Sequence, residues 1–276
     1  MIVADLQSVA SQQKNASGAS YVRNLLKEVL QLYTLDFIYG SGWGKDFLFK
    51  GGTCLRICFD LPRLSEDLDF DIKNYSLFNR QLFVDAVQQY FAAKWQLKNF
   101  SVRVAGNNRQ LYLQFPILKS LGVASRNESD VLFLRLDLSP VDSDCYSEEV
   151  SIKTDKNLSF IMKRYSLPDL FSSKIAAIVN RTFRKGKNDV ITFKGRDYFD
   201  LIWFLQKGVT PNYERLENIV KKSKKEILSR LDEKVGLVKP EYLKEDLAPL
   251  FGDGNFIRSF CQNFRELYQG LRKHLD

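Results

Sequence analysis

The chain has 276 residues, of which 45% are hydrophobic and 27% charged. That composition supports a packed core and excludes global disorder, and four cysteines at this length are too few for a disulfide scaffold. A net charge of +8 favours an anionic partner, nucleic acid first, while a single histidine, His274, excludes a Ser-His-Asp triad or a histidine-rich zinc site. No apolar run reaches the length of a membrane span and the first residues lack a signal-peptide pattern, so the expected compartment is a reducing cytoplasm.

In chain order, residues 1–20 are polar and read as a lead-in or short helix. From Tyr21 to Ile38, Leu25, Leu26, Val29, Leu30 and Leu32 recur at helical spacing, and the glycine-rich stretch from Tyr39 to Gly44 ends that helix. Phe47 to Lys50 reads as a short strand ending in Gly51-Gly52, Thr53 to Asp60 as a short helix, and Asp67 to Ile72, alternating acidic and apolar, as a strand. Residues 76–97 read as one amphipathic helix with Leu82, Val84, Val87, Tyr90 and Phe91 facing a core. Gln110 to Phe115 and Val131 to Leu138 are two more strands. Beyond about residue 150 the pattern is helical: a helix led by Pro168 and running to Phe183, a basic loop over 184–195, a helix from Arg196 to Gln206, and more helices over 212–276. The chain is thus expected to be α+β, with an α/β core over 1–150 and a helical domain over 151–276.

Chemistry must come from carboxylates, lysines, arginines and hydroxyls. Period two puts Asp67, Asp69 and Asp71 on one strand face. Carboxylates so placed repel one another unless a cation joins them, and Mg²⁺ takes such oxygens together with water and phosphate; an exposed acidic edge is the alternative. Lys50-Gly51-Gly52-Thr53 directly precedes a helix, where close-approaching backbone and the helix start can hold a phosphate. Asp137 shares a strand face with Arg135; it is either a third active carboxylate or half of a surface pair. Lys174 and Arg181, seven apart, share a helix face and can hold a triphosphate, oriented by Asp197 and Asp200, neighbours on the next helix; Arg196 and Asp200 can pair at i,i+4, and helix-surface salt bridges are the alternative for the set. Arg184, Lys185, Lys187, Lys194 and Arg196 are placed to track an RNA backbone, as is the run Lys221 to Lys225, for which a solvated helix face is the alternative. Phe183, Phe193 and Tyr198 are candidates to stack a base, with core packing the alternative for Phe193.

Lys-Gly-Gly-Thr-x-Leu at 50–55, Arg63-Leu-Ser65-Glu-Asp67-Leu-Asp69, the helical Lys174, and Arg196-Asp197-Tyr-Phe-Asp200-Leu together resemble the AbiEii/MenT nucleotidyltransferase toxins of the DNA polymerase β-like superfamily. The resemblance implies a nucleotidyltransferase core, a mixed sheet with flanking helices, followed by a helical C-terminal part that completes the active-site cleft. It implies Mg²⁺-dependent transfer of a nucleoside monophosphate from an NTP, a pyrimidine NTP among the candidates. The acceptor it implies is the 3′ end of tRNA, translation is blocked, and a separately encoded antitoxin opposes the toxin. It places Ser65 and Asp67 in the active centre with Asp69 beside them, and matches Lys174 and Asp197 to the family's lysine and second acid. Asp137 stands for the superfamily's third carboxylate, and Asp71, without a family counterpart, is an alternative ligand. On this reading Gly51, Gly52, Thr53 and Ser65 hold the phosphates, with Lys50 and Arg181 beside them, and Asp67 and Asp69 hold the metal. Transfer to a protein hydroxyl or a small molecule, or a non-catalytic RNA-binding module on the same fold, are the alternatives; the intact Gly-Gly-Thr and Asp-x-Asp speak against the last.

Overall fold

In a computed structural model the described residues are 2–13, 18–107, 109–155, 157–181 and 193–276. They fall into two compact units, Met1–Val141 with Glu149–Arg164, and Asp142–Glu148 with Tyr165–Asp276.

The first unit starts with helices α1 (Ile2–Gln12) and α2 (Ala19–Tyr39). Along α2 the buried positions include Val22, Leu26, Leu30, Tyr33 and Phe37, a stripe at i, i+4 and i+3. Leu25, Val29 and Leu32, read from sequence as part of the apolar face, are only half-buried. Strand β1 (Phe47–Lys50) leads directly into α3 (Gly51–Phe59), and β2 (Asp67–Ile72) follows. The expected helix over 76–97 is shorter and composite. It comprises α4 (Arg80–Gln89), begun by Asn79 accepting from the Leu82 N–H, and a π turn over Tyr90–Lys94. The buried stripe is Phe83, Val87, Tyr90 and Phe91, at i, i+4, i+7 and i+8, so the last three are in the core as expected, while Leu82 is 58% exposed and Val84 half-buried.

Strands β3 (Ser101–Ala105), β4 (Gln110–Pro116), β5 (Val131–Pro140), β6 (Glu148–Asp155) and β7 (Leu158–Tyr165) complete a seven-stranded mixed sheet in the order β3-β4-β5-β2-β1-β7-β6. Sequence reading finds neither β3 nor the pair after residue 147. The apolar residues Val150, Ile152 and Ile161 of that pair are exposed, so they mark no core face. In the sheet centre, β2 runs antiparallel to β1 and parallel to β5. One face is a continuous apolar layer: Phe47 and Phe49 pack against Phe70, in register with Leu68, Leu136 and Leu138. The polar residues of the same strands are thereby all turned to the other face.

The second unit holds α5 (Leu167–Asn180), α6 (Gly195–Gln206), α7 (Tyr213–Val220), α8 (Lys224–Gly236), α9 (Pro240–Leu247) and α10 (Gly254–Leu271). Ser166 caps α5 by accepting from the Asp169 N–H, and Pro168 sits in the first turn, where its missing N–H costs nothing. Asp169 is buried but satisfied, accepting from Ser166 Oγ, the Ser147 N–H and Asn212 Nδ2. The core stacks Phe171 on Phe204 at 4.4 Å and gathers Phe251 and Phe260 around Phe199. Lys221 to Lys225 does not form one helix face. Lys221 ends α7 in the left-handed conformation, α8 starts at Lys224, and Lys222 pairs with Glu226.

Candidate active site

Register decides what meets on the polar face of the first unit. Lys50 of β1 lies opposite Asp69 of β2, and on the other side Asp67 pairs with Arg135, Asp69 with Asp137 and Asp71 with Ser139 of β5. Asp69 and Asp137 are therefore side by side, although 68 positions separate them in sequence. Cross-strand neighbours on one face are within side-chain reach of one another.

The charges are not distributed evenly. Asp71 is fully buried and pairs with Lys50 Nζ at 2.6 Å, a diagonal contact between strands. Asp67 and Asp137 are partly open, at 21% and 24% side-chain exposure, and both engage Arg135. Its Nη2 lies 2.5 Å from Asp67 Oδ2 and its Nε 3.0 Å from Asp137 Oδ2. Burial alone would lower the Arg135 pKa, but the charges of Asp67 and Asp137 raise it beyond the usual guanidinium range.

The turn that opens α3 lies against this face. Gly51 has φ +78°, and a Cβ there would fall 2.0 Å from Asp69 Oδ2. Glycine is thus required twice, for the left-handed backbone and for the approach of the Asp69 carboxylate. A Cβ on Gly52 would meet Arg63 Nη2 at 2.6 Å and Ser65 Oγ at 2.9 Å. Arg63 is buried beneath the turn and donates to the Leu64 carbonyl. Thr53 is buried as well, and its hydroxyl donates to the Asp67 carbonyl, tying α3 to β2. Gln31 of α2 donates to the Ser65 carbonyl at 2.9 Å and holds the segment leading into β2.

A second cluster belongs to the helical unit. Lys174 Nζ of α5 lies 2.9 Å from Asp197 Oδ1 and 2.8 Å from Asp200 Oδ2, both on α6. Arg181, at the end of α5, pairs with the other oxygen of Asp197. Asp197 and Asp200 are buried. Burial pushes the Asp197 pKa up, but Lys174 and Arg181 outweigh it and hold the carboxyl far below the usual range.

Lys194 precedes α6 and, with Arg181, Phe193, Tyr198 and Lys234, lines a very small cavity. Phe193 and Tyr198 are buried, edge to face with each other, and Tyr198 packs in turn on Phe264. Burial corrects the stacking expectation for Tyr198 and gives Phe193 the core-packing role also read from sequence. Arg196 opens α6, its main-chain N–H donating to Asp246. Arg184, Lys185, Lys187 and Phe183 lie outside the described residues.

A sheet face carrying carboxylates from two strands, beneath a Gly-Gly turn at a helix start, is the layout of a nucleotidyl-transfer centre. A family model described as "Nucleotidyl transferase AbiEii toxin, Type IV TA system" matches residues 36–256. The chain belongs to the AbiEii nucleotidyltransferase toxin family. It is a nucleotidyltransferase, the toxin side of a type IV toxin–antitoxin system.

Among solved structures, this AbiEii chain is similar to MenT4, a nucleotidyltransferase toxin from Mycobacterium tuberculosis H37Rv, with TM-score 0.54 and 14% identity over 99% of each chain. JHP933 from Helicobacter pylori is 18% identical over 91% of this chain and 94% of its own, with TM-score 0.46. No curated protein sequence matches significantly. At such identities the MenT4 likeness speaks to the fold alone. No helix among the described residues is long and apolar enough to cross a membrane.

Three residues take partners that the sequence alone leaves open. Arg63 stands in the quoted motif, but nothing in the pattern says that its guanidinium lies under Gly52. Arg135 reads as a partner of Asp137, and only the β2–β5 register brings it to Asp67 as well. Asp200 reads either as an i,i+4 partner of Arg196 or as an acid orienting Lys174 and Arg181, and the structure pairs it with Lys174.

Proposed function

We propose that this toxin transfers a nucleoside monophosphate from an NTP to the 3′ acceptor end of tRNA in the cytoplasm, with Mg²⁺, and so blocks translation. The observation that carries this reading is the register that lines up Asp67 and Asp69 with Asp137 under the Gly51–Gly52 turn. The tRNA acceptor follows from the family resemblance and suits the +8 charge. A separately encoded protein antitoxin is the expected opponent.

The residues fit the metal in donor chemistry. The oxygens of Asp67, Asp69 and Asp137 are hard ligands of the kind Mg²⁺ takes, and the absence of a Cβ at Gly51 lets the Asp69 carboxylate lie directly against the turn. Among the described residues no three acidic, thiol or imidazole groups are already drawn together as a finished metal site. The ion would be held by Asp67 and Asp69, with Asp137 as a further ligand, and when bound it neutralises phosphate charge.

The chain's own residues do the rest. The main-chain N–H groups of Gly51, Gly52 and Thr53 at the start of α3, with the Ser65 hydroxyl, hold the β- and γ-phosphates. The Thr53 hydroxyl and the Lys50 ammonium are engaged by the Asp67 carbonyl and by Asp71, so these two act as positioning groups. Asp137 takes the proton of the attacking 3′ hydroxyl. A bond forms from that oxygen to the α-phosphorus, and the bond from the α-phosphorus to the bridging oxygen breaks, releasing pyrophosphate. Within the helical unit Asp197 orients Lys174 and Arg181, which the family resemblance assigns to offsetting phosphate charge.

The test is incubation with Mg²⁺, each α-³²P-labelled NTP in turn and total tRNA, beside Asp67→Ala. Label on tRNA from one NTP, absent with the variant, is the expected result. Label on protein or on a small molecule instead of tRNA would overturn the acceptor, and tRNA labelling that survives Asp67→Ala would overturn the site.

A further inference from the structure

The polar sheet face carries its own cation. At the registered positions of β1, β2 and β5 stand four carboxylates, Asp67, Asp69, Asp71 and Asp137, and two cations, Lys50 and Arg135. Lys50 is engaged by buried Asp71. Arg135 bridges Asp67 and Asp137, one from each strand, taking Oδ2 of both.

We infer that Arg135 is a built-in competitor of the divalent cation for Asp67 and Asp137, and so sets the affinity of this site for metal. The inference rests on the reading of Asp67, Asp69 and Asp137 as the metal-holding set. The oxygens that would hold the ion are those the guanidinium engages, and the two cations repel each other at this range. A metal ion can enter only if Arg135 releases at least one carboxylate. Arg135 keeps Asp67 and Asp137 from repelling each other while no ion is present, which explains how carboxylates so placed coexist without one. It also explains why no finished three-ligand cluster occurs among the described residues: two of the three carboxylates are oriented toward a guanidinium. When Arg135 is released, a phosphate is a natural acceptor for its planar fork of donors. The site would therefore take up free metal weakly and load best when metal and triphosphate arrive together. Arg135 is a positioning residue in this scheme, acting through the carboxylates.

The experiment is a Mn²⁺ titration of the full-length chain, read by the electron paramagnetic resonance signal of free Mn²⁺, with no nucleotide present. It compares wild type with Arg135→Gln, Arg135→Met, Arg135→Lys and Asp69→Asn. The charge-free Gln and Met variants should bind Mn²⁺ about tenfold more tightly than wild type. Arg135→Lys, which restores the charge on a shorter arm, should return most of the way to wild type. Two charge-free variants keep the test open if one of them fails to fold. Equal or weaker Mn²⁺ binding by the folded charge-free variants overturns the inference, as does a gain in Arg135→Lys as large as theirs. Asp69→Asn separates the two levels: if it binds Mn²⁺ as tightly as wild type, the metal-site reading has failed and the competition with it.

Discussion

The two charged clusters use the same residue types to opposite ends. In the helical unit, Asp197 and Asp200 face Lys174 and Arg181, a balanced set of two and two, and both acids are buried. On the sheet, Asp67, Asp69 and Asp137 face Arg135, and Asp67, Asp137 and Arg135 keep 21–29% of their side chains exposed. A buried, balanced set loses heavily when one member is removed, because the remaining charge is stranded. A half-open, acid-rich set loses little stability and retains an appetite for cations. The difference teaches that charge balance and burial together separate a cluster that orders its own groups from one that awaits a ligand.

The comparison breaks first at Lys174. Lys174→Met leaves Asp197 and Asp200 without their shared partner, and thermal or urea unfolding should register a loss of about 3–5 kcal/mol. A loss under about 1 kcal/mol would mean that the helical cluster is as forgiving as the sheet. Asp67→Asn should do the reverse, with stability nearly unchanged and nucleotidyl transfer down by a hundredfold or more, roughly 2.7 kcal/mol in the barrier. Gly51→Ala sharpens the sheet side. Forcing a Cβ into the left-handed region and against Asp69 should cost about 1–2 kcal/mol, visible as a lower melting temperature, and should weaken NTP binding.

Acid titration offers a smaller readout. The Asp197 pKa is depressed in the folded chain, so its stabilisation is complete above the unfolded carboxyl pKa of about 3.9 and is lost as pH falls below that toward the folded value. Asp197→Asn should flatten the stability–pH curve below about pH 4, measured by urea midpoints across pH; an unchanged slope would show that Asp197 contributes nothing there. Arg135→Gln should cost least in stability, under about 1 kcal/mol by unfolding, because the pairs it breaks are partly solvated.

How much of the site was legible depends on how far apart its parts lie. Gly51-Gly52 and the Asp-x-Asp of β2 are local patterns, and their turn and strand are where the sequence placed them. Lys174, Arg181, Asp197 and Asp200 were readable as helix-face cations with acids to orient them, but which acid meets which cation was not, since α5 and α6 meet only through folding. Exposed Val150, Ile152 and Ile161 hid β6 and β7 by putting apolar residues on the outer face, although Leu158, Phe160 and Met162 alternate into the core along β7. Leu82 misled for a local reason: it is one residue from Phe83, and one residue in a helix turns the face by about 100°, so Phe83 joins Val87 and Tyr90 in the core while Leu82 points out.

The amino-acid sequence by itself determined the family, the mixed sheet followed by helices, and which carboxylates stand on one face of β2. These follow from short-range periodicity and from motifs in fixed order. Only the tertiary structure decided that Asp137 stands beside Asp69, that Lys50 serves Asp71, and that Arg135 bridges Asp67 and Asp137. Each depends on strand register, which is set by burying the apolar layer of Phe49, Phe70 and Leu138 on the far side of the sheet. A slip of one residue would turn every one of these charges into the core.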